Sequence, residues 1–319
     1  MYEFQCIDGI FREDNLNLIQ KLKEKWHELH VNTSIFRYKL GTLKEKLAGN
    51  YMLQLNHDRS VKRRQPEHMT NICQPFDENK FNFSKVSSEE VLYKFWNKDT
   101  ATNIHAIVVN VSPINYYHSL LCPSIYQMLP QVVTLDSLKL VLYIHSLSQD
   151  CDLRIAFNSL CALASVNHLH YHLVFEKQKL PIDYVNCTHI KGPLWLMENY
   201  PIPGFCFDGN AKNAAEDIFK LIQYFLANSI AHNIFITKGC SFNNGHDMTR
   251  VFVWARKSTA GAKQLGAFNV AALELGGYFA VYFDEDFEKI EVQDLDRELA
   301  KWKLDNFDKL CKEVEKLFL

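Results

Sequence analysis

The spacing of apolar positions changes period several times along the chain, and those changes mark out its elements. Over residues 15–30, Leu16, Ile19, Leu22 and Trp26 recur at helical intervals and predict an amphipathic helix. The run 51–55, Tyr-Met-Leu-Gln-Leu, reads as a strand, and the basic triplet Lys62-Arg63-Arg64 and then Pro66 follow it. Residues 71–84, rich in Pro, Asp, Asn and aromatics, suit an ordered loop lying over a surface. A buried strand is expected at 104–111, closed by Ser112-Pro113, and a helix at 135–147 with Leu138, Val141, Leu142 and Ile144 on its buried side. Strands at 153–157 and 168–175 flank a turn region that begins at Asn158. A long helix is expected at 211–228, with Ile218, Leu221, Ile222 and Phe225 along one face, and strands at 233–237 and 250–255. The stretch 292–319 reads as helical throughout, with Leu295, Leu299, Trp302, Phe307 and Leu310 facing a core.

These elements mix without a strict β-α-β rhythm, which predicts an α+β fold with a mainly antiparallel sheet flanked by helices. No linker, short repeat or low-complexity tract divides the 319 residues. We therefore expect one globule of two intimately packed halves, about 1–200, which carries three closely spaced histidines, and about 201–319.

Composition narrows the class. With 47% hydrophobic and 23% charged residues the chain has no disordered bias, and a net charge of -2 argues against general binding to nucleic acid or acidic membranes. The nine cysteines are scattered without a C-x-x-C pair, so reduced, mostly buried thiols are expected rather than a disulfide framework. The first residues carry charges where a signal peptide needs an apolar core, and no apolar run approaches the ~20 residues that span a bilayer. The expectation is a cytoplasmic protein.

Chemistry concentrates in Val166-Asn167-His168-Leu169-His170-Tyr171-His172-Leu173-Val174-Phe175. On a strand alternate side chains share a face, so His168, His170 and His172 should point one way and Leu169, Tyr171 and Leu173 the other. Three imidazoles on one face are a poor way to build a core. Two chemistries fit: neutral imidazoles ligating zinc, or one imidazole attacking phosphorus while its neighbours orient it and donate to phosphate oxygens. Histidine suits the second because its ordinary pKa of ~6.5 leaves it largely neutral at pH 7. The spacing alone leaves both open.

About fifty residues upstream stands Val109-Asn110-Val111-Ser112-Pro113-Ile114-Asn115-Tyr116-Tyr117-His118-Ser119-Leu120-Leu121-Cys122-Pro123. Paired with the histidine run, this strand-turn-strand resembles the histidine-triad superfamily, and in detail its GDP-hexose phosphorylases. The resembling segments are Phe36-Arg37-Tyr38-Lys39-Leu40-Gly41, Gln54-Leu55-Asn56, Lys62-Arg63-Arg64-Gln65-Pro66, Gln74-Pro75-Phe76-Asp77, Phe81-Asn82-Phe83, Phe157-Asn158-Ser159-Leu160 and Ala164-Ser165-Val166-Asn167. They continue with Tyr200-Pro201-Ile202, Gly204-Phe205, Arg250-Val251-Phe252-Val253-Trp254-Ala255-Arg256-Lys257, Ala267-Phe268-Asn269-Val270-Ala271 and Glu274-Leu275. His172 is as in the animal members, where the plant relatives carry glutamine. Tyr117, before His118, and Cys161, in the turn before the histidines, stand where members carry glycine, a residue that permits φ > 0.

The resemblance implies a histidine-triad-like fold in which His170 attacks the α-phosphorus of a GDP-hexose such as GDP-D-glucose, expels hexose 1-phosphate and becomes guanylylated. Inorganic phosphate then takes the guanylyl group and leaves as GDP. His168 and His172 become orienting or donating partners, His118 a structural brace, and Ser165 and Asn158 contacts to substrate in place of ordinary turn residues. Arg63 and Arg64, with Lys62, and Arg256 and Lys257 become candidate cations for phosphate, the alternative being a solvated face. Phe81, Phe83 and Trp254 either stack on guanine or pack a core. GDP-hexose and phosphate are the expected partners, with no cofactor and no metal. The readings held beside it are a histidine-triad hydrolase, a non-catalytic nucleotide-sugar binder and, last, a zinc hydrolase.

Overall fold

The computed structural model describes residues 4–6, 18–64, 66–97, 103–148, 151–242, 245–259 and 266–318. Leu16, Gln65 and Leu319, which the sequence reading used, lie outside them. The first part of the chain runs β1 (Phe4–Cys6), α1 (Leu18–Asn32), β2 (Lys44–Ala48), β3 (Tyr51–Leu55), α2 (His57–Lys62), β4 (Val91–Asn97), β5 (His105–Val109), β6 (Ser119–Cys122), α3 (Leu135–Leu147), β7 (Leu153–Asn158) and β8 (Tyr171–Phe175). Then come β9 (Cys187–Lys191), β10 (Leu194–Met197), β11 (Phe205–Asp208), α4 (Ala214–Ala227), β12 (His232–Gly239), β13 (Met248–Ala255), α5 (Ala272–Leu275), β14 (Tyr278–Val281), α6 (Asp284–Lys289), α7 (Val292–Ala300) and α8 (Phe307–Glu315).

Eleven of the strands form one sheet in the order β1-β4-β5-β6-β8-β7-β12-β13-β11-β10-β9, antiparallel at every junction. The sequence leads to the expected α+β fold. Its central strands, such as β6, β7 and β13, are buried along their whole length because both faces are covered, whereas the edge strand β9 is partly exposed. On β7, Leu153, Ile155 and Phe157 join the core shared with α1, α3, α4 and α8, whereas Ala156 joins a second core on the opposite face. That second core holds the small sheet β14-β3-β2, in which β14 runs parallel to β3, with Phe287 of α6 and Leu295 and Leu299 of α7. The α4 helix shows why such segments are helical: Ala215, Ile218, Leu221, Ile222 and Phe225 are buried along one stripe, and Glu216 and Asp217 sit in the first turn, where the helix dipole favours them.

Two expectations change. The C-terminal stretch is interrupted between α7 and α8, where the Lys257 amide donates to the Trp302 carbonyl (2.9 Å) and Arg256 bridges to Lys303. The backbone there serves the end of β13, so it leaves the helix. Second, β8 begins at Tyr171, so His168 and His170 lie in its lead-in and not in the ladder. The β7–β8 register ends at Ala156↔His172. Beyond it the side chain of Gln131 enters between the strands. Its amide nitrogen donates to the carbonyls of Asn158 (3.0 Å) and His170 (3.1 Å), and its oxygen accepts the His170 amide (2.8 Å). The side chain thus replaces the ladder bonds that the strands give up. The alternation survives regardless: Leu169, Tyr171 and Leu173 enter the helix-side core.

The eight cysteines whose side chains are described are free thiols, but only Cys122, Cys161 and Cys206 of them are buried, fewer than expected.

Candidate active site

The site lies on the sheet face away from the main helices, beneath the loop that follows α2. Two segments bring its histidines together. In the first, β5 ends at Val109, and Pro113, with no N–H, cannot rejoin a ladder beyond it. Asn110 Oδ1 then accepts the Ser112 amide (3.0 Å), and the turn closes when the Asn110 amide donates to the His118 carbonyl (3.1 Å). Tyr117 supports this closure with φ 65°, and Cys161, in the turn leading to the histidines, has φ 59°. Both positions where the resemblance led us to expect glycine keep the left-handed backbone without it.

Hydrogen bonds assign the tautomers in turn. The His168 carbonyl can only accept, so His170 Nδ1, 2.7 Å away, carries the hydrogen and the Nε2 atom of His170 holds the lone pair. The Ile114 amide donates to His118 Nδ1 (2.9 Å). Burial, with Arg59 and His170 adding to it, drives the His118 pKa well below the ordinary value, so the ring is neutral with its hydrogen on Nε2. That hydrogen is donated to His172 Nδ1 at 3.0 Å, which puts the hydrogen of neutral His172 on Nε2. Because His118 Nε2 is protonated, the Asn110 amide nitrogen 3.2 Å from it is a neighbour and not a donor to it. His118 is therefore the brace that was expected. His168 does something else: its Nδ1 accepts the Phe83 amide (3.0 Å), tying down the covering loop, and burial lowers its pKa to about 4.

Around these rings the protein leaves a cleft of about 750 Å³, with His170, His172 and Ser165 on its floor and Phe81, Phe83, Val108, Leu120 and Val166 among its apolar walls. A second chamber of about 540 Å³ shares Arg59, Arg63, Ser165 and His172 with the first and adds Asn158, Asn269, Glu274 and Tyr282. The His170 and His172 rings are 5.3 Å apart, and Phe83 sits 4.9 Å from His170.

Of the candidates read from sequence, His170, His172, Ser165, Asn158, Arg63 and Arg64 meet at this paired cavity. Arg63 donates to the Tyr282 hydroxyl (3.0 Å), and Arg64 stacks on Phe81, where burial lowers its pKa. Arg256 and Lys257 line neither chamber. Arg256 is 1% exposed, packed 4.1 Å from the Trp302 ring and bonded to Asn233, and Lys257 pairs with Asp305 (2.7 Å) on the surface. Their strand ends on the sheet away from the histidines, which the order of residues does not reveal. Lys62 pairs with Asp58 instead of reaching the cleft, and Trp254 is fully buried against Phe252. Phe81 and Phe83 do line the cleft.

Arg59 and Gln131 were missed. Arg59 had a signal: it stands four residues before Arg63, the residue that closes the short helix α2, which Asn56 caps at its start through the Arg59 amide. The chemistry of the whole is that of an anion site. Three guanidinium groups and two oriented imidazoles face a partly apolar cleft with Glu90 on its rim. Among the described residues no three His, Cys, Asp or Glu side chains converge as a metal-binding group.

Residues 17–174 match the protein family described as GDPGP1-like, N-terminal domain, and residues 177–318 its C-terminal domain. The chain is 34% identical to GDP-D-glucose phosphorylase 1 of Xenopus laevis, over 84% of this chain and 79% of that protein. It is 34% identical to the human protein of the same name, over 82% and 73%, and 30% identical to GDP-L-galactose phosphorylase 2 of Arabidopsis thaliana, over 83% and 67%. Among solved structures, yeast Ap4A phosphorylase Apa2 in complex with Ap4A shares the fold, with a TM-score of 0.63 at 14% identity over 90% of this chain and 97% of that one.

Proposed function

Given that the chain belongs to the GDPGP1-like family through both of its domains, we propose that it is a GDP-hexose phosphorylase that converts GDP-D-glucose and inorganic phosphate to GDP and D-glucose 1-phosphate. One observation carries the assignment of roles. His170 has its Nδ1–H on the His168 carbonyl and its Nε2 lone pair beside His172, whose own Nε2 bears a hydrogen.

His170 Nε2 forms the bond to the α-phosphorus, and the bond from that phosphorus to the bridging oxygen breaks. Glucose 1-phosphate departs and the guanylyl group remains on the ring. An oxygen of inorganic phosphate then attacks the same phosphorus, the N–P bond breaks, and GDP leaves with the imidazole restored. The His172 Nε2–H and the Ser165 hydroxyl stabilise the charge that develops on the transferring group, the main demand of such chemistry. Arg59 and Arg63, common to both chambers, neutralise the flanking phosphates. The apolar wall of the first chamber, with Phe81 and Phe83, suits the base, and Asn158, Asn269 and Glu274 of the second chamber suit the hexose or the incoming phosphate. The free thiols and phosphate substrates suit the cytosol.

The test is product analysis with GDP-D-glucose, with and without phosphate. GDP and glucose 1-phosphate should form at a rate that saturates with phosphate. Without phosphate the peptide carrying His170 should gain the mass of a guanylyl group, and His170→Asn should fold but not turn over. GMP released at a rate indifferent to phosphate would make the protein a hydrolase, and binding of GDP-glucose without any product would make it a non-catalytic binder.

A further inference from the structure

Behind the second chamber runs a buried chain of three side chains, none of which the reaction above uses, although the last of them, Asn158, lines that chamber. Asn233, on β12, is 0% exposed, and each group of its amide is engaged. Its Oδ1 accepts from Arg256 Nη1 (3.2 Å), and its Nδ2 donates to Asn158 Oδ1 (2.7 Å) and to the Ala162 carbonyl (3.0 Å). An isolated asparagine amide can be turned either way, but a guanidinium has only donors. Arg256 therefore requires the oxygen of Asn233 to face it, so the nitrogen faces Asn158, and Asn158 must answer with its own oxygen. The Ala272 amide, 2.9 Å from that same oxygen, supplies a second donor. Both lone pairs of Asn158 Oδ1 are taken from inside the protein. Its Nδ2 makes no hydrogen bond to the described protein, and Asn158 lines the chamber beside Ser165 and His172.

We propose that Arg256 is a positioning residue, which acts through Asn233 to hold Asn158 as a fixed hydrogen-bond donor toward an acceptor-only group of the substrate, the oxygens of the transferring or incoming phosphate. The arginine is itself held for the task. Its guanidinium lies over Trp302, it donates to the Val270 carbonyl, and burial lowers its pKa to about 9, still charged at neutral pH. The chain carries orientation and not charge: a cation kept out of the chamber decides which end of a neutral amide enters it. This rests on the phosphorylase reading.

Asn158→Asp separates the two ideas. The carboxylate still accepts from Asn233 and from the Ala272 amide, so the thermal midpoint should stay near that of the wild type. Its outward group, however, changes from donor to acceptor, and kcat should fall about a hundredfold or more. Arg256→Met should lower kcat with KM for GDP-glucose less affected, and Arg256→Lys, still a pure donor, should recover part of the loss. Asn158→Asp within twofold of wild-type kcat overturns the donor assignment. Arg256→Met and Arg256→Lys that lose stability alike, with unchanged kcat per folded molecule, overturn the positioning role. The wild-type control reads the underlying function separately. If it does not turn over, the phosphorylase reading fails, and the relay is still judged by GDP binding in calorimetry, which Asn158→Asp should weaken about tenfold if the relay is right and leave unchanged if it is wrong.

Discussion

The His118 ring donates from Nε2 to Nδ1 of His172 across 3.0 Å, and the Ile114 backbone amide sets the direction of that bond by occupying the other His118 nitrogen. A main-chain N–H cannot change its role, so the hydrogen of His172 is placed by the backbone two steps away. His118→Ala should leave His172 free to take either tautomer and lower kcat about ten- to a hundredfold, with a smaller change in KM. Steady-state kinetics alongside a melting curve check this; turnover at the wild-type rate would show that His172 keeps its tautomer unaided.

Gln131 satisfies three buried backbone groups at the point where β7 and β8 part. Gln131→Met keeps the shape but strands two carbonyls and an amide, at a cost of about 1–3 kcal/mol for each group left without water. Gln131→Glu can still accept the His170 amide but offers nothing to the carbonyls of Asn158 and His170, so it should be at least as harmful. Urea unfolding measures both variants, and kcat should fall with stability because the backbone of His170, the proposed nucleophile, loses its hold.

Acid should unfold the protein well above the pH that protonates ordinary carboxylates. Burial holds the pKa values of His105, His145, His168 and His232 down to about 4, 3, 4 and 4. Each is neutral when folded and takes up a proton on unfolding below ~6.5. The stability they contribute is full above that pH and is lost as pH falls from ~6.5 toward ~4, at roughly 1.4 kcal/mol per pH unit for each histidine. Glu176 and Asp183, whose pKa values burial raises, oppose this by binding protons more readily in the fold, but only nearer their own range. Urea midpoints should drop steeply between pH 6.5 and 5; a flat profile there would contradict the burial of these rings.

Tyr117 adopts φ 65° and packs within 5.6 Å of Trp26 and 6.0 Å of Phe175. Tyr117→Gly relieves a left-handed strain of about 1–2 kcal/mol but removes an aromatic from a well-packed cluster, a loss of about 3–5 kcal/mol when such a ring is fully buried. As Tyr117 is only half-buried, a net destabilisation of about 1–3 kcal/mol is expected by chemical denaturation. Cys161→Gly, which forfeits only a small side chain, should stay within about 1 kcal/mol of wild type. Cys161→Val, β-branched at positive φ, should cost more than either relief.

The legible parts of this protein were those whose evidence lies close together in the chain. Alternation around His170 separated the chemical face from Leu169, Tyr171 and Leu173 even though the strand begins only at Tyr171. The helical stripe of α4 and the strand at 51–55 were equally local. What escaped depends on partners far apart. Gln131 reaches His170 from 39 residues away, and Asn233 reaches Asn158 from 75. Arg256 looked like a phosphate ligand because a basic residue after an apolar strand commonly ends in solvent, but here the interrupted C-terminal helix folds Trp302 over it. Short strands such as β10 and β11, four residues each, carry too few positions for a period to show.

The left-handed turns at Tyr117 and Cys161 also bear on how such a chain can change over time. A position that begins as glycine is free to accept many residues once the surrounding bonds hold the turn shut, as the Asn110–His118 bond does here. Once tyrosine has arrived and neighbours such as Trp26 have settled against it, the return step opens a hole. The substitution then works as a ratchet: the conformation is inherited while the residue that first allowed it becomes the costlier choice. In this fold, the turn keeps its left-handed conformation without glycine because the bonds around it hold it shut.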